Sequence, residues 1–285
     1  MQYGKISYYN RHINEGFDIK GRRLIFTDAH QKVLDTSFDG QPTISVIPVD
    51  NIGDVKVYSI FKRCQQTDFK SDSNPVLYAL KKERDWDFAD DANKTLFWNK
   101  FTQLLRRFLR DHKNEFDTTI VVPSSNRLNG DIASEIRKIS EEVGIHHISS
   151  GGLYTIDADE ILDAAWEKDS YFREYWGDEF ESAYDKLEKF ALKMERENNN
   201  LFKYHIITDI KLRESILHTL DVDDDVAYMY SSNINGKNII IVDDSIMKGQ
   251  TIRNAIYAIQ NSYAPASVSV LTMFSRLYDK DGNEL

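Results

Sequence analysis

The chain has 285 residues, a formal net charge of −10, 41% hydrophobic residues, 13 Gly and 5 Pro. This length allows one large domain or two small ones, and the low Gly and Pro content argues against a collagen-like or disordered chain. The single cysteine, Cys64, excludes an internal disulfide and a cysteine-based zinc site, and the negative charge argues against gripping nucleic acid through bulk charge.

The sequence leads us to expect neither a membrane-spanning helix nor a secretory signal peptide. No segment approaches the run of about 18 apolar residues that a membrane-spanning helix needs. Residues Met1 to Arg11 hold no apolar segment typical of a signal peptide. We therefore expect a cytoplasmic protein without a membrane partner.

The first part of the chain is predicted to be rich in β-strands. Strands are expected at Arg23–Phe26, Thr43–Ile47 and Val55–Phe61, which contain β-branched and aromatic residues. The turn signals Asp39-Gly40 and Gly53-Asp54 separate them. We assign residues 1–95 to a β-rich N-terminal region and residues 96–285 to a core.

The next segment has the order helix, strand, helix, strand. The expected elements are a helix over Leu96–Asp111, a strand over Thr118–Val122 that stops at Pro123, a helix through Ile132, Ile136 and Ile139, and a strand over Ile145–Ile148. A continuous β-branched run such as Thr118–Val122 is typical of a strand buried on both faces, as in a parallel sheet.

Residues of about 157–220, called the insert below, are predicted to be mostly helical. They contain an aromatic stripe for which packing is favoured over a ligand cage: Trp166, Tyr171, Phe172, Tyr175 and Trp176.

Three further strands are predicted after the insert, at Val226–Tyr230, Asn238–Val242 and Val268–Met273, with a helix at Thr251–Gln260. The fold class is therefore α/β: a twisted, mainly parallel sheet flanked by helices, with the β-rich N-terminal region and the helical insert added.

Two adjacent acids follow the most apolar of these strands. Asp243 and Asp244, called the acid pair below, come after Asn238–Val242, at the strand end where open α/β sheets bind ligands. We expect both carboxylates to stand exposed at this strand end. A short turn containing Gly249 then leads into a helix that begins near Thr251. Free N–H groups at a helix start form a cradle for phosphate, and carboxylates can accept hydrogen bonds from a diol or from the water around Mg²⁺.

This stretch resembles the signature of type I phosphoribosyltransferases, and its Asp-Asp-Ser form is similar to the amidophosphoribosyltransferase variant. The resemblance implies that the acid pair holds the ribose hydroxyls of phosphoribosyl pyrophosphate. It also implies that a phosphate loop binds the 5-phosphate through Met247, Lys248, Gly249, Gln250 and Thr251. Lys248 stands where the family often has Thr, and Gln250 where many members have a small residue. The alternative is an acidic strand end with an ordinary helix cap.

A second polar loop follows Val122-Pro123, where the family has its pyrophosphate loop. Its candidate pyrophosphate contacts are Ser124, Ser125, Asn126 and Arg127. Arg127 is expected to point into the same cleft as the acid pair. The alternative is a simple connector in which Asn129 or Asp131 caps the next helix.

The order of segments also resembles competence-protein-F-like members of the same superfamily. Pro75–Lys82 precedes the long helix, and Asp209–Arg213 precedes the acid-pair strand, but the zinc-ribbon cysteines of those proteins are absent. The cations of these segments are candidate anion contacts, with a surface role as the default: Lys81, Lys82, Lys211 and Arg213.

The resemblance implies a type I phosphoribosyltransferase fold and transfer of the phosphoribosyl group to a nucleobase-like acceptor, with release of pyrophosphate. Asp243, Asp244 and Arg127 would be catalytic, and Mg²⁺ would be held through the ligand and water near the acid pair. The expected partners are phosphoribosyl pyrophosphate and the acceptor, with a homodimer left open. The alternatives are a non-enzymatic sensor of a phosphoribosyl ligand, or an interaction protein that uses the aromatic insert.

Overall fold

The computed structural model describes residues 15–28, 33–36, 43–49, 52–64, 74–82, 85–123, 127–168, 170–198, 207, 209–216, 219–246 and 249–278. The predicted Asp39-Gly40 turn lies outside these residues. The strands are β1 Gly16–Lys20, β2 Arg23–Thr27, β3 Leu34–Asp35, β4 Thr43–Val49, β5 Gly53–Cys64, β6 Asp87–Phe88, β7 Thr118–Val121, β8 His146–Ile148, β9 Leu153–Thr155, β10 Leu220–Val222, β11 Asn238–Ser245 and β12 Ser267–Tyr278. The helices are α1 Pro75–Lys81, α2 Asp91–Asp111, α3 Arg127–Val143, α4 Ala158–Trp166, α5 Tyr171–Trp176, α6 Phe180–Asn198, α7 Ile210–Ser215, α8 Asp224–Ile234 and α9 Gln250–Ser262.

Ten of the described strands form one mixed sheet. Its order is β6-β2-β1-β3-β5-β12-β11-β7-β8, and β4 pairs with β5 outside this path. The central strands β5, β12, β11, β7 and β8 are all parallel, whereas β1, β2, β3 and β4 join through antiparallel pairs. The prediction that β7, β11 and β12 share one sheet is confirmed, and so is the α/β class with a mostly parallel centre.

Helices cover both faces of the central sheet. In β11, Ile240 and Val242 pack on the face covered by α2 and α3, while Ile239 and Ile241 pack on the face covered by α9. All four side chains are buried, because a strand covered on both faces has no solvent side. The continuous apolar run in the sequence therefore has a direct structural cause.

The longest helix, α2, begins five residues before its expected start at Leu96. Asp90 caps it, because the Asp90 carboxylate accepts a hydrogen bond of 2.8 Å from the Asn93 backbone N–H. One face packs into the core through Phe97, Phe101, Leu104, Leu105 and Phe108, and charged residues occupy much of the rest. Within the part of the chain that the structure describes, no helix combines the length and apolar character needed to cross a membrane.

The N-terminal strands are continuous with the central sheet through β5. Phe97 of α2 lies at the centre of this junction. Its ring is 5.2 to 6.3 Å from the rings of four phenylalanines on β1, β5, β6 and β12, which are Phe17, Phe61, Phe88 and Phe274. Strands from both sides of the assigned boundary at residue 95 therefore belong to one sheet.

The two ends of the insert lie next to each other in the fold. Strands β9 and β10, on either side of it, pair antiparallel, with Tyr154 opposite Asp221. Between them α4, α5, α6 and α7 provide the predicted helical structure and share a hydrophobic cluster of their own. In the aromatic stripe, Phe172 and Trp176 are buried and pack as expected, whereas Trp166, Tyr171 and Tyr175 are exposed.

The strand predicted at Val226–Tyr230 is wrong, because these residues lie in α8. The Asp223 side chain caps this helix by accepting a hydrogen bond of 3.0 Å from the Val226 backbone N–H. Asp224 and Asp225 then occupy the first helical turn, where negative charge is favoured. The acidic run is therefore a helix start, and it outweighs the β-propensity of Val226 and the tyrosines.

Candidate functional site

The two loops singled out in the sequence leave the same edge of the sheet. Val121 at the end of β7 lies opposite Val242 in β11, and the Val122 N–H donates to the Val242 carbonyl over 2.8 Å. The connection to α3 therefore starts beside the acid pair. Ser124, Ser125, Asn126, Met247 and Lys248 lie outside the described residues.

Of Arg127, the structure describes the backbone position only. Arg127 is the first residue of α3, so it stands at the end of the loop that follows β7. The expected orientation of its guanidinium toward the acid pair stays a prediction.

The acid pair is buried. Asp243 and Asp244 are 8% and 7% exposed, so the expectation that both carboxylates stand exposed at the strand end is wrong. Protein donors surround them: the Asp244 backbone N–H donates to Asp243 Oδ1 over 2.8 Å, and the Ser245 hydroxyl donates to Asp244 Oδ1 over 2.8 Å. Side chains from α1 and α3 complete this enclosure.

The first of these side chains is Lys81, at the last position of α1. Its Nζ atom lies 2.7 Å from Asp244 Oδ2, and both side chains are largely buried. Helix α1 is held in place at its start by the Asn74 cap and by the buried residues Pro75, Val76 and Ala79. The C-terminal end of this short helix therefore delivers a cation to the acid pair.

The second side chain is Asn129, in the first turn of α3. Its amide donates to the Val122 carbonyl over 3.2 Å and also hydrogen-bonds the Asp243 carboxylate. Helix α3 begins at Arg127, so Asn129 and Asp131 lie inside the helix, and the alternative in which one of them caps it is wrong. Asn129 instead ties the acid pair to the β7 loop.

Asp243 is the member of the pair that resists ionisation. Burial, and then the neighbouring Asp244 charge, raise the pKa of Asp243 to about 7. The hydrogen bond within the pair, the Lys81 charge and the Asn129 hydrogen bond oppose this shift. Near neutral pH the Asp243 carboxyl is therefore poised between its protonated and its ionised form.

The start of α9 has no side-chain cap. Gly249 is the N-cap of α9, with φ of +77° and no side-chain capping hydrogen bond, and Thr251 in the first turn is half-buried. The first N–H groups of a helix have no partner within the helix. The start of α9 can therefore bind an anion through its backbone.

Two other segments of the chain hold the first turn of α9 through hydrogen bonds. The Gln250 amide donates to the Ile216 carbonyl of the insert over 3.0 Å, and Arg253 Nε donates to the Pro48 carbonyl of β4 over 3.2 Å. The Gln250 side chain is thus engaged by the insert, so its part in ligand binding stays a prediction.

We predict that Gly249→Ala destabilises the protein more than Gly236→Ala does. Both glycines have positive φ, which costs about 1–2 kcal/mol for a residue with a side chain. A Cβ at Gly249 would meet Ile47 Cδ1 at 2.9 Å, whereas a Cβ at Gly236 would meet nothing within 4 Å. Urea denaturation measures both losses, and the Ile47→Val background should reduce the Gly249→Ala loss. Equal losses at the two glycines would contradict the close packing of Ile47.

The acid pair is not part of a larger cluster of metal-ligating side chains among the described residues. Among the described residues no group of three or more His, Cys, Asp or Glu side chains is placed to hold a metal ion. The carboxylate oxygens of the acid pair can accept hydrogen bonds from water, including water around a metal ion, and Asp244 is already paired with Lys81.

Comparison of the chain with protein-family models, with curated proteins and with solved structures finds no match. The geometry of the acid pair and the start of α9 therefore carry the functional interpretation. From the sequence, Lys81 is one of four candidate anion contacts with a surface role as the default, and Ser245 is not indicated as a partner of Asp244. No local pattern indicates the contact between Lys81 and Asp244, since it depends on how α1 and β11 meet.

Proposed function

We propose that the protein binds phosphoribosyl pyrophosphate with Mg²⁺ and transfers the phosphoribosyl group to a nucleobase-like acceptor. The observation that carries this proposal is the placement of the acid pair. It stands at the carboxyl end of a central parallel strand, and Asp244 comes five residues before Gly249, the N-cap of α9. An acid pair next to a phosphate cradle is suited to a sugar phosphate, because one end of the ligand offers hydroxyls and the other an anion.

Each part of the ligand would contact a different segment at the carboxyl ends of β7 and β11. The acid pair would accept hydrogen bonds from the ribose hydroxyls, and the backbone of the phosphate loop would bind the 5-phosphate. The loop of Ser124, Ser125, Asn126 and Arg127 would bind the pyrophosphate, since that loop starts beside the acid pair at the end of β7. These roles follow the resemblance to type I phosphoribosyltransferases.

The reaction proposed is a displacement at the anomeric carbon. The bond between C1 and the pyrophosphate oxygen breaks, and its electron pair leaves with the pyrophosphate. The lone pair of the acceptor nitrogen forms the new C1–N bond, and the proton on that nitrogen passes to water. The acid pair would stabilise the positive charge that develops on the ribose. Mg²⁺, when bound with the ligand, supplies charge neutralisation for the leaving pyrophosphate.

The test is transfer of label from phosphoribosyl pyrophosphate, radiolabelled in the ribose, to a panel of purine and pyrimidine bases. We expect a labelled nucleotide with at least one base, dependent on Mg²⁺ and absent in the double variant Asp243→Asn, Asp244→Asn. Saturable, Mg²⁺-dependent binding without transfer would favour the alternative of a phosphoribosyl-ligand sensor. Neither binding nor transfer would contradict the proposal.

A further inference from the structure

We propose that Lys81 is a catalytic residue that contacts the pyrophosphate group of the bound ligand and neutralises its charge as it leaves. This inference rests on the proposed function and assigns the reaction a group that lies outside both loops of the sequence motif. Lys81 belongs to the N-terminal region, more than half the chain away from the acid pair.

The distance from Lys81 to the acid pair places its charge at the reacting end of the sugar. Lys81 Nζ is 2.7 Å from Asp244 Oδ2. A ribose hydroxyl that donates to that carboxylate oxygen would lie at most about 5.5 Å from Nζ, with a hydrogen bond of about 2.8 Å. The hydroxyl on C2 is adjacent to the pyrophosphate on C1, so a leaving-group oxygen falls in the same small region.

Lys81 has the hydrogen-bonding capacity for two partners at once. An ammonium group has three N–H donors, and the contact with Asp244 uses one of them. Asp244 likewise accepts from Ser245 through its other oxygen, and each carboxylate oxygen has more than one acceptor site. The ligand can therefore bind without breaking the ion pair between Lys81 and Asp244.

The packing of α1 fixes the position of Lys81, whose side chain is largely buried, whereas the neighbouring Lys82 is exposed. Val76 and Ala79 of α1 are buried in the core, and the helix ends because Lys82 adopts a left-handed conformation with φ of +55°. The Lys81 side chain is 17% exposed, whereas Lys82 is an exposed residue. Since a largely buried ion pair contributes little net stability, the observed burial of this charge is more simply explained by a role at the site.

Lys81 stabilises the leaving group in this role without gaining or losing a proton. As the C1–O bond breaks, its electron pair moves to the pyrophosphate oxygen, and the Lys81 ammonium donates a hydrogen bond to the leaving group without losing its proton. The positive charge of Lys81 offsets the negative charge that develops there. The proton released by the acceptor goes to water, as in the proposed reaction.

The experiment compares three ligands with three variants of the full-length protein. Isothermal titration calorimetry in the presence of Mg²⁺ measures the affinity for phosphoribosyl pyrophosphate, for inorganic pyrophosphate and for ribose 5-phosphate. The variants are Lys81→Met, Lys81→Arg and the matched control Lys82→Met, and thermal unfolding checks that each of them is folded.

We expect Lys81→Met to weaken binding of the two pyrophosphate ligands about 10- to 100-fold, the usual effect of a hydrogen bond to a charged group. Ribose 5-phosphate should change by less than about threefold, because it lacks the leaving group. Lys81→Arg should recover part of the loss, and Lys82→Met should bind all three ligands as the unmodified protein does.

Equal losses for all three ligands would overturn the inference, because Lys81 would then act only by holding Asp244. Unchanged affinity for pyrophosphate in Lys81→Met would overturn it as well. If the unmodified protein binds none of the three ligands, the proposed function itself fails. Binding of ribose 5-phosphate with no effect of Lys81 leaves the proposed function standing and removes only the role of Lys81.

Discussion

Replacement of the acid pair by Asp243→Asn and Asp244→Asn should weaken the Mg²⁺-dependent binding of phosphoribosyl pyrophosphate at least about 100-fold. Each hydrogen bond from a ribose hydroxyl to a carboxylate is worth about 1.5–3 kcal/mol, and the variant loses two of them. Asn keeps the shape and one acceptor of each side chain, so the fold should remain. Calorimetry with phosphoribosyl pyrophosphate and Mg²⁺ measures the loss.

The matched control is the double variant Asp224→Asn, Asp225→Asn. These residues are also adjacent acids, but they are exposed at the start of α8, and their replacement should leave the affinity unchanged. Equal affinity of the acid-pair variant and the unmodified protein would rule out the assigned role.

The structure also gives the pH dependence of stability for the single variant Asp243→Asn. The raised pKa of Asp243, about 7 in the folded protein, means that the folded state favours the protonated carboxyl. The stability that the Asp243 carboxyl contributes is therefore lost as the pH rises from about 4 to about 7, and Asp243→Asn removes this loss. The variant should gain in free energy of unfolding relative to the unmodified protein over this range.

Phe97→Ala should lower the free energy of unfolding by about 3–5 kcal/mol, the usual cost of removing a fully buried phenylalanine. The Phe97 ring is fully buried and touches rings from β1, β5, β6 and β12, so its loss opens a cavity where the N-terminal strands join the central sheet. Urea denaturation measures the change.

A suitable control for Phe97→Ala is Leu192→Ala on α6. Leu192 is 46% exposed, and its truncation should change stability by no more than about 0.5 kcal/mol. Helix α1 packs against β2 and β6, so Phe97→Ala should also loosen the support of Lys81. A loss below about 1.5 kcal/mol would show that the aromatic junction is not essential to the fold.

The central strands could be predicted from the sequence because their composition reflects burial on both faces. The runs in β7 and β11 are β-branched and uninterrupted, and only a strand inside a covered sheet hides every side chain of such a run. Val226–Tyr230 has only the β-propensity of one valine and two tyrosines, and the Asp223 cap starts a helix there instead. This capping signal is present in the local sequence.

The environment of the acid pair could not be predicted in the same way. Its burial depends on Lys81 from α1 and Asn129 from α3, which approach Asp243 and Asp244 only in the folded chain. Periodicity places residues on the face of one element, but it does not say which elements meet. For the same reason the anchoring of Gln250 to the insert has no counterpart in the local sequence.

The position of β12 has a consequence for how the chain folds as it is made. β12 is the last strand that the structure describes, yet it lies between β5 and β11 at the centre of the sheet. Until its residues leave the ribosome, β5 and β11 each present an open edge with unpaired backbone groups. Long-range parallel pairing of this kind is slow and exposes the nascent chain to aggregation. The protein should therefore depend on protection of its earlier strands during synthesis, and its sheet can close only after translation has passed β12.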